Sequence, residues 1–402
     1  MKILYVVPYV PSLIRTRPYN LIRALHQRGH QVTLACLTEK QDADELAAIQ
    51  PAVETVVAEK LPKKQAYGNC LAALPTQIPL QAAYTWQPRL AERLRDLILH
   101  PAGEKPYDII QVEHLRGVRY AEVLRAIPGA PPIVWDSVDS ITHLFRQSVQ
   151  SHPSALRRAF LKFELARTEN YEAHMARAFS RVLVTSLKDQ QVFNQLAPGA
   201  PLTIIPNGVD LAYFSPPSEP QDDYDPDAIV ISGKMSYHPN VAMVLYFVRE
   251  ILPLIWKRRP QTKLWVVGQN PSEEIRAACA DERINVTGRV DDIRPYLQRA
   301  AVAATPITYG AGIQNKVLEA LACATPVVAS PLAISALQIH PEEEILVGAD
   351  SATFAAQVLR ILDQPALRNR LGAAGRQFVQ QEHSWDAAAA QLEQVYQAVV
   401  SH

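Results

Sequence analysis

The run Tyr309-Gly310-Ala311-Gly312-Ile313-Gln314-Asn315-Lys316-Val317-Leu318-Glu319 places a glycine turn, a helix start, a cation and a carboxylate within eleven residues. An apolar run, Ala301 to Ile307, precedes it, and Thr325-Pro-Val-Val-Ala329 follows as a second buried strand. Strand, glycine turn, helix, strand is the unit with which α/β proteins hold a phosphate. The first helical N–H groups lack intrahelical partners, and the helix dipole favours an anion there. The same letters also fit an ordinary helix start. Glycines and cations recur after other apolar runs, as Gly233-Lys234, Gly268 and Gly288-Arg289-Val290. Lys234 and Lys316 could neutralise a diphosphate, with the N–H groups of Gly312, Ile313, Gln314 and Asn315 adding hydrogen bonds. Glu319 lies two turns into the helix, too deep for a simple cap. It is either a surface glutamate or an acceptor for the vicinal hydroxyls of a ribose.

Such a site needs strands to carry it, and short apolar runs alternate with amphipathic helices along the whole chain, which predicts parallel sheets with helices on both faces. The first set of strands reads Ile3 to Val7, Gln31 to Leu37, Tyr107 to Val112, Pro132 to Trp135, Arg181 to Thr185 and Leu202 to Ile205. A helix over Tyr19 to Arg28 carries Leu21, Ile22 and Leu25 on one face, and Gly29 caps it. The pattern then restarts with Ala228 to Ser232, Thr262 to Val267, Ile284 to Thr287, Val302 to Pro306 and Val327 to Ala329. Between the sets lies a proline- and acid-rich linker, Ser215 to Asp227. The expected division is a first domain over 1–207 and a second over 208–384. Two doubly wound domains facing each other would form a cleft where the carboxyl ends of both sheets converge. Asp223-Tyr-Asp225 and Asp225-Pro-Asp227 match a DxD pattern, but as linker acids they read as solvated rather than metal-binding. No other cluster suggests a metal.

Composition excludes several classes. The 402 residues are 48% hydrophobic, enough for two cores, and Lys+Arg and Asp+Glu are both 40. The chain therefore has no nucleic-acid footprint. The charge is uneven: residues 1–207 hold 24 basic and 18 acidic side chains, and 208–402 hold 16 and 22. That asymmetry fits either orientation on an anionic surface or scattered solvated charge. Cys36, Cys70, Cys279 and Cys323 are widely spaced and read as reduced, mostly buried thiols of a cytosolic protein. The N-terminal apolar run is too short for a signal peptide, and no run approaches ~18 consecutive apolar residues. No GxGxxG follows the first strand, and no Walker lysine or GxSxG elbow occurs, which disfavours dinucleotide redox chemistry and those hydrolases.

The order of these motifs resembles that of the GT-B-fold retaining glycosyltransferases of family 4 (group 1). The resemblance runs from Ile3-Leu-Tyr-Val-Val-Pro8 and Leu25-His-Gln-Arg-Gly-His-Gln-Val32 through Ile205-Pro-Asn-Gly-Val-Asp210. It continues with Gly233-Lys-Met-Ser-Tyr-His-Pro-Asn240, Val267-Gly268, Thr287-Gly288-Arg-Val-Asp291, Gly312 to Ala322, and Phe378 with Ser384-Trp385. Gly-Ile-Gln-Asn-Lys-Val-Leu-Glu-Ala, Phe163-Glu-Leu-Ala-Arg167 and Asp136-Ser-Val-Asp139 are similar to the branch associated with exopolysaccharide and exosortase loci. The resemblance implies two Rossmann-like domains, the first for the acceptor and the second for a nucleotide-sugar donor, with a C-terminal helix, 385–402, crossing back to the first. It implies a cytoplasmic hexosyltransferase of polysaccharide biosynthesis, with a nucleoside-diphosphate sugar as donor substrate, a glycan or lipid-linked acceptor, and no metal or other cofactor.

Departures from the family pattern mark what is specific to this chain. Of the common Glu-x7-Glu pair, Glu319 matches the second member and Ala311 stands at the first. Lys234 and Asn240 replace the usual arginine and lysine of the diphosphate site, with Lys316 placed to compensate. The glycine-rich loop after the first strand is replaced by Pro11 to Pro18, where Arg15 or Arg17 would either reach the donor phosphate or remain solvated. The family's catalytic-region histidine aligns with Glu113, next to His114, and either could orient the acceptor hydroxyl or serve structurally. Leu156-Arg-Arg-Ala-Phe-Leu-Lys-Phe163 fits a peripheral membrane contact or a helix packed on the first domain. A non-transferring sugar-nucleotide enzyme of the same fold and a catalytically silent partner subunit remain the alternatives.

Overall fold

The computed structural model describes residues 1–39, 42–100, 106–151, 155–217, 223–309 and 314–401. The chain forms two compact units, one of residues 1–206 with 388–402 and one of 207–387.

The first unit is built on a wholly parallel seven-stranded sheet: β1 (Lys2–Val7), β2 (Gln31–Thr38), β3 (Thr55–Lys60), β4 (Ile109–Glu113), β5 (Ile133–Val138), β6 (Arg181–Val184) and β7 (Leu202–Ile204). Their order is β3-β2-β1-β4-β5-β6-β7, so the direction of winding reverses between β1 and β4. The central strands are continuous apolar runs because both faces are covered: Ile3 to Val7 are all buried. The helix Thr16–Gln27 buries Leu21, Ile22 and Leu25 and ends at Gly29, whose φ of +84° suits its N–H for the bond to His26 O at 2.9 Å. Strand β3 is absent from the sequence-based expectation. Its segment is short and only partly buried at the sheet edge, so it shows neither a long apolar run nor a clean alternation. The C-terminal part of the helix Trp385–Val400 belongs to this unit, where Tyr396 donates to Gln111 Oε1 and Arg28 pairs with Glu393 at 2.7 Å.

The second unit holds a parallel six-stranded sheet: β8 (Asp225–Ser232), β9 (Lys263–Val267), β10 (Ile284–Gly288), β11 (Ala300–Thr305), β12 (Val327–Ala329) and β13 (Leu346–Val347). The order β10-β9-β8-β11-β12-β13 reverses between β8 and β11. Asp225 and Asp227 are corrected from linker to strand: both open β8, pairing with Lys263 at 2.8 Å and Arg259 at 2.5 Å. They sit at the amino end of the sheet, far along the strand from any ligand-facing turn. The two-residue β13 is too short for any periodicity to reveal. One helical stretch, His238–Trp256, is long and apolar enough by composition to cross a bilayer. Half of it is buried within the unit, with Met243, Phe247, Ile251 and Ile255 in the core, so its apolarity is that of a core element.

Two sequence segments prove to be partners inside this unit. Val209 N–H donates to His383 O at 2.7 Å, and His383 Nδ1 lies 3.1 Å from Asn207 O. A Cβ on Gly208 would stand 2.7 Å from Trp385 N, so the Asn-Gly-Val-Asp motif needs its glycine to admit the Ser384-Trp385 backbone.

Candidate functional site

In doubly wound sheets, ligands bind beyond the carboxyl ends of the strands where the winding reverses. In the second unit that point lies between β8 and β11, and it is occupied by the residues the sequence singles out. Gly233 follows β8 with φ +146°, and Gly268 follows β9 with φ +151°. A Cβ on Gly268 would come within 1.7 Å of Gly233 O, and one on Gly233 within 2.8 Å of Asn240 Nδ2 and 3.4 Å of Lys316 Cε. Only glycine lets these two turns lie against each other. Gly288 ends β10 at φ +71°, followed by an exposed Arg289 and a half-buried Val290.

The helix Asn315–Ala322 follows β11. Val317, Leu318 and Leu321 form its buried stripe, and that packing turns Lys316 and Glu319, one turn apart, onto a common half-buried face. Lys316 Nζ donates to Asn240 Oδ1 at 2.7 Å, and Asn240 Nδ2 donates to Lys234 O at 3.0 Å. Desolvation pushes the Lys316 ammonium down to about 8 and the Glu319 carboxyl up to about 7, each held back by the other's charge. Asn315 Oδ1 is buried with no hydrogen-bond partner. Gln314 occupies the N-cap position in an extended conformation without a side-chain capping bond. Lys234 is exposed, so of the two expected cations only Lys316 is built into the cluster. Gly310, Ala311, Gly312 and Ile313 lie outside the described residues. Tyr309 and His238, both inside motifs of the sequence but given no role there, contact each other beside this helix, Tyr309 Oη against His238 Nδ1.

In the first unit the reversal lies between β1 and β4, and Glu113 is the last residue of β4. Tyr9 donates to Glu113 Oε1 at 2.5 Å, while Glu113 Oε2 is buried without a partner. Burial, then the nearby Asp136 carboxylate, pushes Glu113 up to about 8. His114 has a left-handed φ of +61°, and its Nδ1 accepts the Arg116 N–H at 3.3 Å, which leaves the proton on Nε2. Burial lowers its imidazole to about 3, so the ring is neutral. Of the two loop arginines, Arg15 stacks 4.5 Å over Tyr9 and donates to Val10 O at 3.2 Å. Arg17 is neither solvated nor in the loop: it is buried in the first turn of its helix. It donates to Asp136 at 2.9 Å and to Ile205 O at 3.1 Å, tying the end of β5 to the end of β7. Tyr9 was missed by the sequence reading, and Asp136 entered it only as part of the Asp136-Ser-Val-Asp139 resemblance, with no role in a site. Both lie two residues from the end of a strand.

Among the described residues, His340, Glu343 and Glu344 lie close enough to share an ion, but His340 and Glu343 are exposed and the half-buried Glu344 carboxylate already accepts the His340 N–H at 2.6 Å.

Residues 15–213 match the model of glycosyltransferase family 4, and residues 226–364 match that of the group 1 glycosyl transferases. The chain belongs to the family 4 glycosyltransferases. It is 28% identical over 212 residues to the phosphatidyl-myo-inositol mannosyltransferase of Mycobacterium leprae, covering 50% of this chain and 55% of that protein. A GDP-mannose-dependent mannosyltransferase of Corynebacterium glutamicum, acting on monoacylated phosphatidylinositol monomannoside, is 28% identical over 217 residues, 48% of this chain and 55% of its own. The chain thus matches about half the length of these curated relatives. In fold it is similar to the sucrose-phosphate synthase of Thermosynechococcus elongatus, with a TM-score of 0.70 at 18% identity over 100% of this chain and 99% of that one. HepE of Anabaena, solved in complex with UDP, gives 0.70 at 13% identity over 99% and 100%. The family 4 glycosyltransferase therefore has the GT-B architecture that its motif order implied.

Proposed function

We propose that this family 4 glycosyltransferase moves a hexose from a nucleoside-diphosphate sugar to a hydroxyl of a polysaccharide or lipid-linked intermediate, with retention, without a metal, and in the cytoplasm. The donor is assigned to the second unit and the acceptor to the first. The observation that carries this reading is the cluster at the β8/β11 reversal. An ammonium is held on Asn240 above two glycine turns, and a dehydrated carboxylate lies one helical turn further on.

The chemistry follows from charge. As the anomeric C–O bond breaks, negative charge collects on the β-phosphate. A cation and free N–H groups fixed in advance stabilise that charge without solvent reorganisation. Lys316 supplies the cation, and the backbone near Asn315 the N–H groups. The orphaned Asn315 Oδ1 wants a donor, which a sugar or ribose hydroxyl provides. Glu319, already desolvated, accepts the vicinal ribose hydroxyls at little further cost. In a retaining path the acceptor attacks from the leaving group's own face, so the departing diphosphate takes the acceptor proton. Glu113 and His114 then have only to orient the acceptor hydroxyl, which suits a neutral imidazole. Support for donor and acceptor class comes from the relatives: two are mannosyltransferases of phosphatidylinositol lipids, and HepE binds UDP. The resemblance of Gly312 to Ala320, Phe163 to Arg167 and Asp136 to Asp139 to the branch associated with exopolysaccharide and exosortase loci favours an acceptor from polysaccharide assembly.

A thermal-shift screen against nucleoside diphosphates and their sugars, followed by radiolabelled transfer into a membrane lipid extract, tests the reading. Stabilisation by one nucleotide series and label in the lipid fraction are expected. No stabilisation by any nucleotide would sink it, and donor conversion without an acceptor would replace it by a non-transferring enzyme.

A further inference from the structure

Two helices of the first unit carry exposed apolar stripes besides their buried residues. The helix Lys63–Ala73 buries Ala66 and Ala73, yet Tyr67, Leu71 and Leu74 run along its other side at i, i+4 and i+7. The helix Ala155–Ala178 buries Glu164, Arg167, Tyr171 and Met175, yet Leu156, Phe160 and Phe163 repeat the same spacing. These six side chains are between 45% and 83% exposed. A single exposed leucine is ordinary, but six large apolar groups in two helical stripes are not.

Arg167 joins the stripes into one surface. Its guanidinium lies 4.9 Å from the Phe163 ring and donates to the carbonyl of Ala73, the neighbour of Leu74, at 2.7 Å. It also pairs with Glu164 at 2.7 Å, and Glu164 in turn accepts the Leu80 N–H at 2.8 Å. This clamp is buried, so the two helices present their stripes as a fixed element. Cations flank the first of them. At 100° per residue, Lys63 and Lys64 fall on either side of the Tyr67-Leu71-Leu74 stripe, whereas Arg158 and Lys162 fall on the side of their helix opposite the second stripe. The excess of 24 basic over 18 acidic side chains in residues 1–207 adds a long-range pull toward anions.

We propose that these two helices form a docking surface for an anionic lipid bilayer, the six apolar side chains entering the acyl boundary and Lys63 and Lys64 lying among the headgroups. A second copy of the chain fits less well, because a two-fold contact would set the same cations against each other. The inference goes beyond the transfer reaction: it stands on exposure and charge, and requires no donor site.

The full chain is sedimented with vesicles of phosphatidylcholine, alone or with about one-third phosphatidylglycerol. Binding to the anionic vesicles only, weakening as salt rises, is the expected result. The double variant Leu71→Ser/Phe160→Ser, and separately Lys63→Glu/Lys64→Glu, should each lose at least about tenfold in partitioning. Because these side chains are exposed, both variants should melt and bind nucleotide as the wild type does. Absence of wild-type binding, or unchanged binding by both variants, would overturn the proposal. So would a dimer that the variants turn to monomer with no vesicle binding, which would give the face to a second copy. Vesicle binding that persists in a chain showing no sugar transfer would sink the transferase reading and leave this one standing.

Discussion

The two units solve the same topological problem with opposite backbone chemistry. At the carboxyl ends of β8, β9 and β10 the chain turns through Gly233, Gly268 and Gly288 at φ between +71° and +151°, conformations that cost glycine little. At the ends of β4 and β5 it turns through His114 at +61° and Val138 at +67°, where a side chain pays about 1–3 kcal/mol in strain. The first arrangement strips side chains from around a space; the second holds side chains in fixed directions. The polar groups differ likewise. Around Glu113 and Asp136, tyrosine, glutamine and arginine partners fill most hydrogen-bonding positions. Around Lys316, among the described residues, one amide partner is present, and Asn315 Oδ1 has none, just as Glu113 Oε2 has none in the first unit. Each site thus keeps a buried oxygen without a protein partner, and the two differ in how many side chains surround it.

That contrast breaks most readily at a glycine. Gly268→Ala would force a Cβ into Gly233 O, and the clash with backbone leaves no rotamer to yield. A loss above about 4 kcal/mol in urea unfolding, with donor binding abolished, is expected. Gly288→Ala is the control: nothing lies within 4 Å, so only its positive φ is penalised, about 1 kcal/mol. Equal losses in both would show that conformation, not close approach, explains the glycines. Next in size comes Asp136→Ala in the first unit, which strands the buried Arg17 guanidinium and should cost about 3–5 kcal/mol. Pairing it with Arg17→Met should recover most of that loss, and no recovery would mean the carboxylate has a role beyond the ion pair. Lys316→Ala inverts the pattern. Turnover should fall about 10²–10³-fold while the melting temperature holds or rises, since a desolvated cation is removed. A variant that unfolds but turns over normally when folded would make Lys316 a structural residue.

Most of the architecture was legible because parallel strands buried on both faces leave unbroken apolar runs, as Ile3 to Val7 and Ala228 to Ser232 do. What escaped was short or marginal: β3 at a sheet edge, the two-residue β13, and the opening of β8, where Asp225-Pro-Asp has the composition of a linker. The cluster around Lys316 was legible for a related reason. Gly233, Gly268, Lys316 and Glu319 each follow a strand at a fixed offset, so spacing alone brings them to one end of the sheet. The network around Glu113 was not, because its partners come from separate strands and declare themselves only by contact. Tyr9 to Glu113 spans 104 residues, and Arg17 to Asp136 spans 119. No local pattern distinguishes such a tyrosine or arginine from a solvated one.

The smallest expected effect separates the units by pH. Glu113 and Glu319 both titrate above the ordinary 4.5, at about 8 and about 7, because burial penalises their charged forms. The folded state therefore binds a proton that the unfolded state has released. For each group the stabilisation is complete below about 4.5 and is lost as pH rises, through 7 for Glu319 and through 8 for Glu113. Glu172, raised to about 7, and Asp139, raised to about 6, add to the decline only up to those values. His114, lowered to about 3, stays neutral in the folded state while its unfolded imidazole binds a proton below about 6.5, so it opposes the decline up to that pH and adds nothing above it. Between pH 7 and 8 the continuing loss thus belongs to Glu113 among these groups, with a slope approaching about 1.4 kcal/mol per pH unit at most. Urea unfolding from pH 5 to 9 should show Glu113→Gln flattening the curve up to 8 and Glu319→Gln flattening it only below 7. If Glu319→Gln instead removes the slope between 7 and 8, the more deeply desolvated carboxylate is in the second unit, and the order of the two sites is reversed.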